Sequence, residues 1–179
     1  MKKFYAEGFN PQDVDVKFSE ILIATSDSSD SLIDKEVTEV LALLKEKLSM
    51  DIVFVSEFIE NKRVIRYVNS DQNLVKLDSF EPLEKTWCKM MVDQKIPEFI
   101  SDVSQYSGVL PEVEAKLGTF ISAPVVLGSG DVYGTVCCLS YSPVLSVGYK
   151  DLSNLKSVAS LISKKIDAKN KPMTLKDME

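Results

Sequence analysis

Residues 131–141 read DVYGTVCCLSY, and this stretch decides the fold. A strand with one face in water alternates apolar with polar residues, whereas this run is almost unbroken in residues that favour buried strands. Because side chains alternate along a strand, one face carries Tyr133, Thr135, Cys137 and Leu139. The other face carries Val132, Gly134, Val136 and Cys138. The pattern predicts a central strand in a sheet that is covered on both sides.

A hairpin joins this strand to the residues before it. The turn at 128–131, GSGD, follows a second apolar run at 119–127, TFISAPVVL, which predicts two neighbouring antiparallel strands. Gly134 lies inside the central strand and has no side chain, and a glycine at such a position usually marks the close approach of another element. We therefore expect Gly134 to be required for the fold.

The composition limits the classes of function open to the chain. Its 179 residues, 45% of them hydrophobic, fit one domain with a real core. The formal net charge is −6, so we expect no nucleic-acid partner. No apolar run suits a membrane span and the start lacks a signal-peptide core, so we expect a cytoplasmic protein with no membrane partner. Histidine is absent, which removes Ser-His and Cys-His pairs and a common metal ligand, and we expect no metal and no cofactor.

Hydrophobic periodicity predicts the other elements. Helices are predicted from Asp13, at 31–48, at 82–93 and at 148–165. Strands are predicted at 51–59, 63–69 and 97–102, the first two joined by a turn at 60–62. Irregular structure is predicted at 70–80 and 103–118, apart from a helical turn or two after Pro111. The expected organisation is a flexible lead-in at 1–12, a single domain at 13–168 and a frayed charged tail at 169–179.

The order of these elements, together with five local motifs, resembles a GAF domain. The motifs are MDIVFVSEF at 50–58, WCKMMVDQKIPEFISD at 87–102, GTFISAPVVL at 118–127, YGTVCCLSYSP at 133–143 and the closing helix from Asp151. The resemblance covers residues 30–167 and is closest to bacterial GAF domains that occur alone or joined to cyclic-di-GMP signalling domains. It implies an α+β fold, related to profilin and PAS domains, with a central antiparallel sheet of about six strands. Helices would cover one face, and a pocket would lie on the other.

The resemblance also implies which residues face the pocket. By similarity to the phytochrome branch, the pocket face of the central strand is the one that begins with Tyr133. The candidate ligand contacts are Trp87, Cys88, Asp102, Phe120, Ser122, Cys137 and Leu139. For Trp87, core packing is the alternative role, and for Asp102 it is a turn or cap. A bilin is not expected, because the pocket histidine of that branch corresponds to Leu139 and its chromophore-binding Cys-His pair is absent near Ser107. The Asn-Lys-Phe-Asp-Glu signature of cyclic-nucleotide binders is absent too.

Three cysteines leave a redox alternative open. Free methionine sulfoxide reductases are GAF proteins with three cysteines, and Cys88 matches one of them by position. The segment at 103–118, where the catalytic thiol would lie, contains no cysteine. Cys137 and Cys138 are adjacent in a strand and face opposite sides of the sheet, so they cannot easily pair. We expect buried structural thiols.

The sequence therefore predicts a non-enzymatic sensory or regulatory GAF module that binds an unknown small molecule. One alternative is a thiol-based redox enzyme or sensor that uses Cys88. The other is a ligand-free interaction module whose pocket is filled by Trp87, Phe120 and Leu139. A homodimer through the terminal helices is also expected, because a helix from Asp13 would carry an apolar stripe that needs cover, namely Val14, Phe18, Ile21 and Leu22. The alternative is that residues 13–24 fold back and cover their own domain.

Overall fold

The predicted central strand has a neighbour on each side in the structure, a computed structural model that describes residues 30–72, 74–113 and 115–170. The strands are β1 Ile52–Ile59, β2 Lys62–Ser70, β3 Phe80–Pro82, β4 Phe99–Ile100, β5 Phe120–Val126 and β6 Val132–Leu139. The helices are α1 Asp30–Leu48, α2 Trp87–Val92 and α3 Tyr149–Asn170, with short 3₁₀ helices at Leu83–Lys85 and Val103–Tyr106. The predicted lead-in, the helix from Asp13 and residues 171–179 of the tail lie outside the described residues.

The six strands form one antiparallel sheet in the order β3-β2-β1-β6-β5-β4. Helices α1 and α3 pack against one face, and α2 packs against the other. This arrangement confirms the predicted α+β fold with a central antiparallel sheet of about six strands. Helix α3 continues to Asn170, so the first two residues of the predicted tail are helical.

Gly134 lies where β6 passes close to β1. It is paired with Glu57, and a Cβ atom built on it would lie 1.8 Å from the backbone oxygen of Ser56. A side chain at this position would force the two central strands apart, because backbone atoms cannot yield as the end of a flexible side chain can. This is the close approach that the sequence predicted.

Tyr133 lies on the face opposite to the one predicted. The pairing of β5 with β6 passes from Val125–Gly134 to Val126–Val132, so Tyr133 is the extra residue of a β-bulge. Its ring packs on the side of α1 and α3, and its hydroxyl donates to Glu57 Oε2 at 3.4 Å. The prediction was wrong because it assumed an unbroken alternation of side chains along the strand.

The face covered by α1 and α3 holds one of two apolar cores. Helix α1 buries the predicted stripe of Val37, Val40, Leu41, Leu44 and Leu48. Helix α3 buries Leu152, Leu155, Val158, Ala159 and Ile162. A buried ion pair between Lys165 of α3 and Glu36 of α1 joins the two helices. Within the described ranges, no helix is long and apolar enough to cross a membrane.

The predicted helix at 82–93 is divided at Thr86, whose backbone is extended. Its hydroxyl oxygen accepts a hydrogen bond from Lys89 N at 3.2 Å and so caps α2. Before it, Phe80–Pro82 is strand β3, paired with β2, where the sequence predicted a loop leading into a helix. The helical turn predicted after Pro111 is also wrong, since the described residues there have no helical structure and the turn occurs earlier, at Val103–Tyr106.

Candidate functional site

A cavity of about 620 Å³ lies on the side of the sheet opposite α1 and α3. Its floor is formed by the central strands, and one wall is formed by α2. The apolar lining consists mainly of Phe54, Trp87, Leu117, Phe120 and Leu139. Small-molecule sites in proteins are concave, mostly apolar and of this size.

Two irregular chain segments complete the lining of the cavity, and we call them its cover. One contains Leu74, Val75 and Ser79, and the other contains Pro111, Glu112 and Val113. The second segment is tied to α2, because the indole Nε1 of Trp87 donates a hydrogen bond of 3.0 Å to the carbonyl oxygen of Pro111. Trp87 also contacts the ring of Phe120 edge-on, at a centroid distance of 5.7 Å. The same side chain therefore lines the cavity and holds its cover.

Arg63 places a cation in the cavity wall. It lies on β2 two residues before buried Ile65, so both side chains point to the same face. Its Nη2 donates to Glu81 at 3.1 Å, and its guanidinium lies 5.4 Å from the centre of the Phe54 ring. The Nε of Arg63 is buried and has no hydrogen-bond partner among the described residues. A buried donor left without a partner costs about 1–3 kcal/mol. Because the Arg63 side chain lines the cavity, a bound molecule would lie next to its positive charge.

The charges around the cavity limit what it can hold. Exposed Glu81, Glu84 and Glu112 lie at its edge, together with one exposed lysine, Lys85. These carboxylates disfavour a ligand with several negative charges, while Arg63 favours a single acceptor or anionic group in the interior. Within the described ranges, no group of three His, Cys, Asp or Glu side chains is placed to hold a metal ion.

Cys88 lies beside Arg63, beneath the lining of the cavity. Its Sγ accepts a contact of 3.9 Å from Arg63 Nη1. A hydrogen bond from the Cys137 thiol, the charge of Arg63 and a hydrogen bond from Thr135 lower the pKa of the Cys88 thiol below its ordinary value, against the opposing effect of burial. Burial and the neighbouring Cys88 raise the pKa of the Cys137 thiol. The two thiols of this face are therefore unequal, and the negative charge is favoured on Cys88.

The structure brings together most of the residues predicted for the pocket. Trp87, Phe120, Cys137 and Leu139 line the cavity, and Cys88 lies directly behind them. Ser122 is on the same face, but its hydroxyl donates to the backbone oxygen of Val136 at 3.1 Å, away from the lining. Asp102 caps the second 3₁₀ helix by accepting a hydrogen bond of 3.0 Å from Ser104 N. Hydrogen bonds from the side chain and the backbone of Ser104 lower the pKa of the Asp102 carboxyl group. Asp102 therefore has the alternative role of a helix cap, and it does not line the cavity.

Arg63 and Phe54 were missed by the sequence reasoning. Both were assigned to predicted strands without a role. The signal for Arg63 was available in the alternation of β2, because a charged residue that shares a face with a buried isoleucine must point inward. Phe54 pairs directly with Cys137 across β1 and β6. This pairing places Phe54 on the pocket face, and the register of the two strands could not be predicted from the sequence.

Comparisons with solved structures identify the class of fold. The GAF domain of an Acinetobacter phosphoenolpyruvate-protein phosphotransferase superposes with a TM-score of 0.71 at 10% identity, over 93% of this chain and 99% of that one. A putative GAF sensor protein from Burkholderia vietnamiensis gives 0.68 at 13% identity, over 90% and 100%. The type II free methionine-R-sulfoxide reductase from Thermoplasma acidophilum gives 0.64 at 16% identity, over 77% and 94%. No family model and no curated protein matches the chain in sequence.

The chain therefore has the fold of a GAF domain, as the resemblance implied. The prediction of a protein without enzymatic activity is contradicted, because the Thermoplasma reductase is an enzyme with this fold. At these identities the similarity shows the fold alone. The fold thus gives no reason to exclude catalysis. Whether the chain binds a ligand or catalyses a reaction has to be argued from the residues of the cavity.

Proposed function

We propose that this GAF module binds a small organic molecule in the cavity and responds to it as a sensory or regulatory domain. The ligand has an apolar body that contacts Phe54, Trp87 and Phe120. It presents one hydrogen-bond acceptor or a single negative charge to Arg63. The observation that carries the proposal is Arg63 in the wall of a partly apolar cavity of about 620 Å³, together with its buried Nε, which has no hydrogen-bond partner among the described residues.

The cavity also supports binding over the ligand-free alternative. In that alternative, Trp87, Phe120 and Leu139 would fill the pocket with their own side chains. Here they form the walls of an open space instead.

A thermal-shift screen with the full chain tests the proposal. The probes are aromatic and aliphatic monocarboxylic acids, their uncharged amides and, as a contrasting group, nucleoside triphosphates. We expect stabilisation by members of the first two groups and none by the triphosphates, because of the acidic edge. Arg63→Gln should abolish the shift, whereas Arg66→Gln should retain it, since Arg66 lies on the same strand but pairs with Glu57 on the other face. Equal shifts in both variants would refute the role of Arg63.

A second candidate function is reduction of a free sulfoxide by a thiol. The specific observation in its favour is the Cys88 thiol beside Arg63, in a fold shared with the Thermoplasma reductase. The absence of cysteine from 103–118 counts against a close mechanistic parallel. The test is consumption of free methionine sulfoxide with a dithiol donor. Turnover that disappears in Cys88→Ser and persists in Cys138→Ser would establish this function, and no turnover in the unmodified chain would exclude it.

A further inference from the structure

Glu81 lies opposite Arg63 in the lining of the cavity. The two residues are direct partners in the pairing of β2 with β3, and both line the cavity. Arg63 Nη2 donates a hydrogen bond of 3.1 Å to Glu81 Oε2. The other donors of the guanidinium are less well occupied, since Nη1 lies 3.9 Å from Cys88 Sγ and Nε has no partner among the described residues. Among those residues, Glu81 is the carboxylate that pairs with Arg63.

The two members of this ion pair differ in burial. The side chain of Arg63 is 14% exposed, whereas that of Glu81 is 59% exposed. Glu81 belongs to β3, a strand of three exposed residues at the edge of the sheet. Water and salt compete for an exposed partner and weaken such a pair. The Glu81 carboxylate can therefore turn into water at little cost, while Arg63 stays in the cavity wall and needs another counter-ion.

This difference separates charged from neutral ligands. A ligand carboxylate at Arg63 forms a charge-assisted hydrogen bond, roughly twice as strong as a neutral one, and keeps the guanidinium compensated when Glu81 leaves. A carboxamide supplies an acceptor but no charge. Displacement of Glu81 by an amide would leave a largely buried cation unpaired, which is costly. An amide would therefore accept from Arg63 with Glu81 still in place, and an acid would bind instead of Glu81.

We propose that the ligand is an organic monocarboxylate whose carboxylate replaces Glu81 at Arg63, and that Glu81 determines the specificity of the site. This inference rests on the function proposed above and narrows its ligand from an acceptor or an anion to an anion. Glu81 is then an internal competitor, which lowers the affinity for acids and leaves the affinity for amides unchanged. Glu84 and Glu112 remain at the edge and disfavour further negative charge on the ligand.

Isothermal titration calorimetry on the full chain tests this with matched probes, phenylacetate with phenylacetamide and octanoate with octanamide. The variants are Glu81→Gln and Glu81→Ala, so that the test does not depend on one substitution. Glu84→Gln is the control, because it removes the same charge from the cavity lining without breaking the hydrogen bond to Arg63.

We expect both Glu81 variants to bind an acid about two- to fivefold more tightly than the unmodified chain, as for the loss of an exposed ion pair that competes with the ligand. An acid that binds only the Glu81 variants would support the proposal as well. The affinity for the matching amide should change less than about twofold, and Glu84→Gln should give a smaller gain for the acid than Glu81→Gln.

Equal gains for acid and amide would overturn the proposal, and so would equal gains in Glu84→Gln and Glu81→Gln. Weaker binding of acids by both Glu81 variants would also overturn it, because Glu81 would then hold Arg63 in position for the ligand. Arg63→Gln separates this inference from the proposed function. Acid binding that requires Arg63 but is insensitive to Glu81 refutes the inference alone, whereas no binding of acids or amides to any of these chains contradicts the proposed function too.

Discussion

The indole Nε1 of Trp87 donates a hydrogen bond of 3.0 Å to the carbonyl oxygen of Pro111, across 24 residues of sequence. It joins a buried helix to the irregular segment that covers the cavity. Trp87→Phe keeps an aromatic ring and removes the donor. We expect a loss of about 0.5–1.5 kcal/mol in the free energy of unfolding, measured by chemical denaturation.

The same substitution should loosen the cover locally. Hydrogen exchange at 103–113 is expected to accelerate, because the segment loses its tie to α2. Peptides from α1 and α3 provide the internal control and should exchange as before. Unchanged exchange at 103–113 would show that the hydrogen bond does not hold the segment.

Gly134 gives a prediction about the centre of the sheet. Gly134→Ala places a Cβ atom 1.8 Å from the Ser56 oxygen, and the resulting overpacking should cost about 1–3 kcal/mol or more. Gly148→Ala is the matched control, because a Cβ there meets nothing within 4 Å. Thermal denaturation compares the two. Equal stability of both variants would mean that β1 and β6 are not packed as described.

The ion pair between Glu36 and Lys165 gives a prediction about the helix layer. Both side chains are buried, with exposed fractions of 4% and 6%. Lys165→Met removes the cation from beside a buried carboxylate and should destabilise the fold by about 3–5 kcal/mol.

A second substitution separates charge from packing. Adding Glu36→Leu to Lys165→Met removes the carboxylate as well, so the double variant should be more stable than Lys165→Met alone. Urea denaturation of all three chains measures the difference. A double variant less stable than the single one would contradict the assignment of the cost to the loss of the cation beside the buried carboxylate.

The lowered pKa of Cys88 predicts a pH dependence with a defined sign. The folded chain keeps Cys88 as a thiolate at pH values where an unfolded thiol is protonated. The contribution of this group to the free energy of unfolding is therefore complete above the ordinary thiol pKa and is lost as the pH falls through the lowered pKa of the folded state. The groups that face Cys88 are Arg63 from β2 and Cys137 and Thr135 from β6.

Thiolate ultraviolet absorbance measures this titration. The unmodified chain, but not Cys88→Ala, should show a thiolate signal at neutral pH that disappears on acidification. Arg63→Gln should move the midpoint upward, because a stabilising charge is lost. A signal that appears only at alkaline pH would contradict the lowered pKa.

The sequence predicted the parts of the fold that depend on local pattern. The apolar run at 131–141 placed β6, and the helical stripe that ends at Leu48 placed α1. It failed where a single residue changes the pattern. Thr86 caps α2 with its side chain and so interrupts a helix that periodicity alone makes continuous. Tyr133 reverses its direction because of a bulge whose position depends on pairing with β5.

The site was less predictable than the fold because it depends on register. The proximity of Cys88 and Cys137 requires α2 to lie over one particular position of β6, which neither segment encodes by itself.

The homodimer through the terminal helices stays a prediction, because the helix from Asp13 lies outside the described residues. Light scattering on the full chain and on a chain that begins at Asp27 tests it: a dimer that becomes a monomer supports the interface, and two monomers refute it.

Native mass spectrometry of the freshly purified full chain tests the central claim, binding of a small molecule through Arg63, most directly. We predict an additional small-molecule mass on the unmodified chain and on Arg66→Gln, and its loss from Arg63→Gln. The bare chain mass in all three preparations, or an additional mass that persists in Arg63→Gln, would contradict the account.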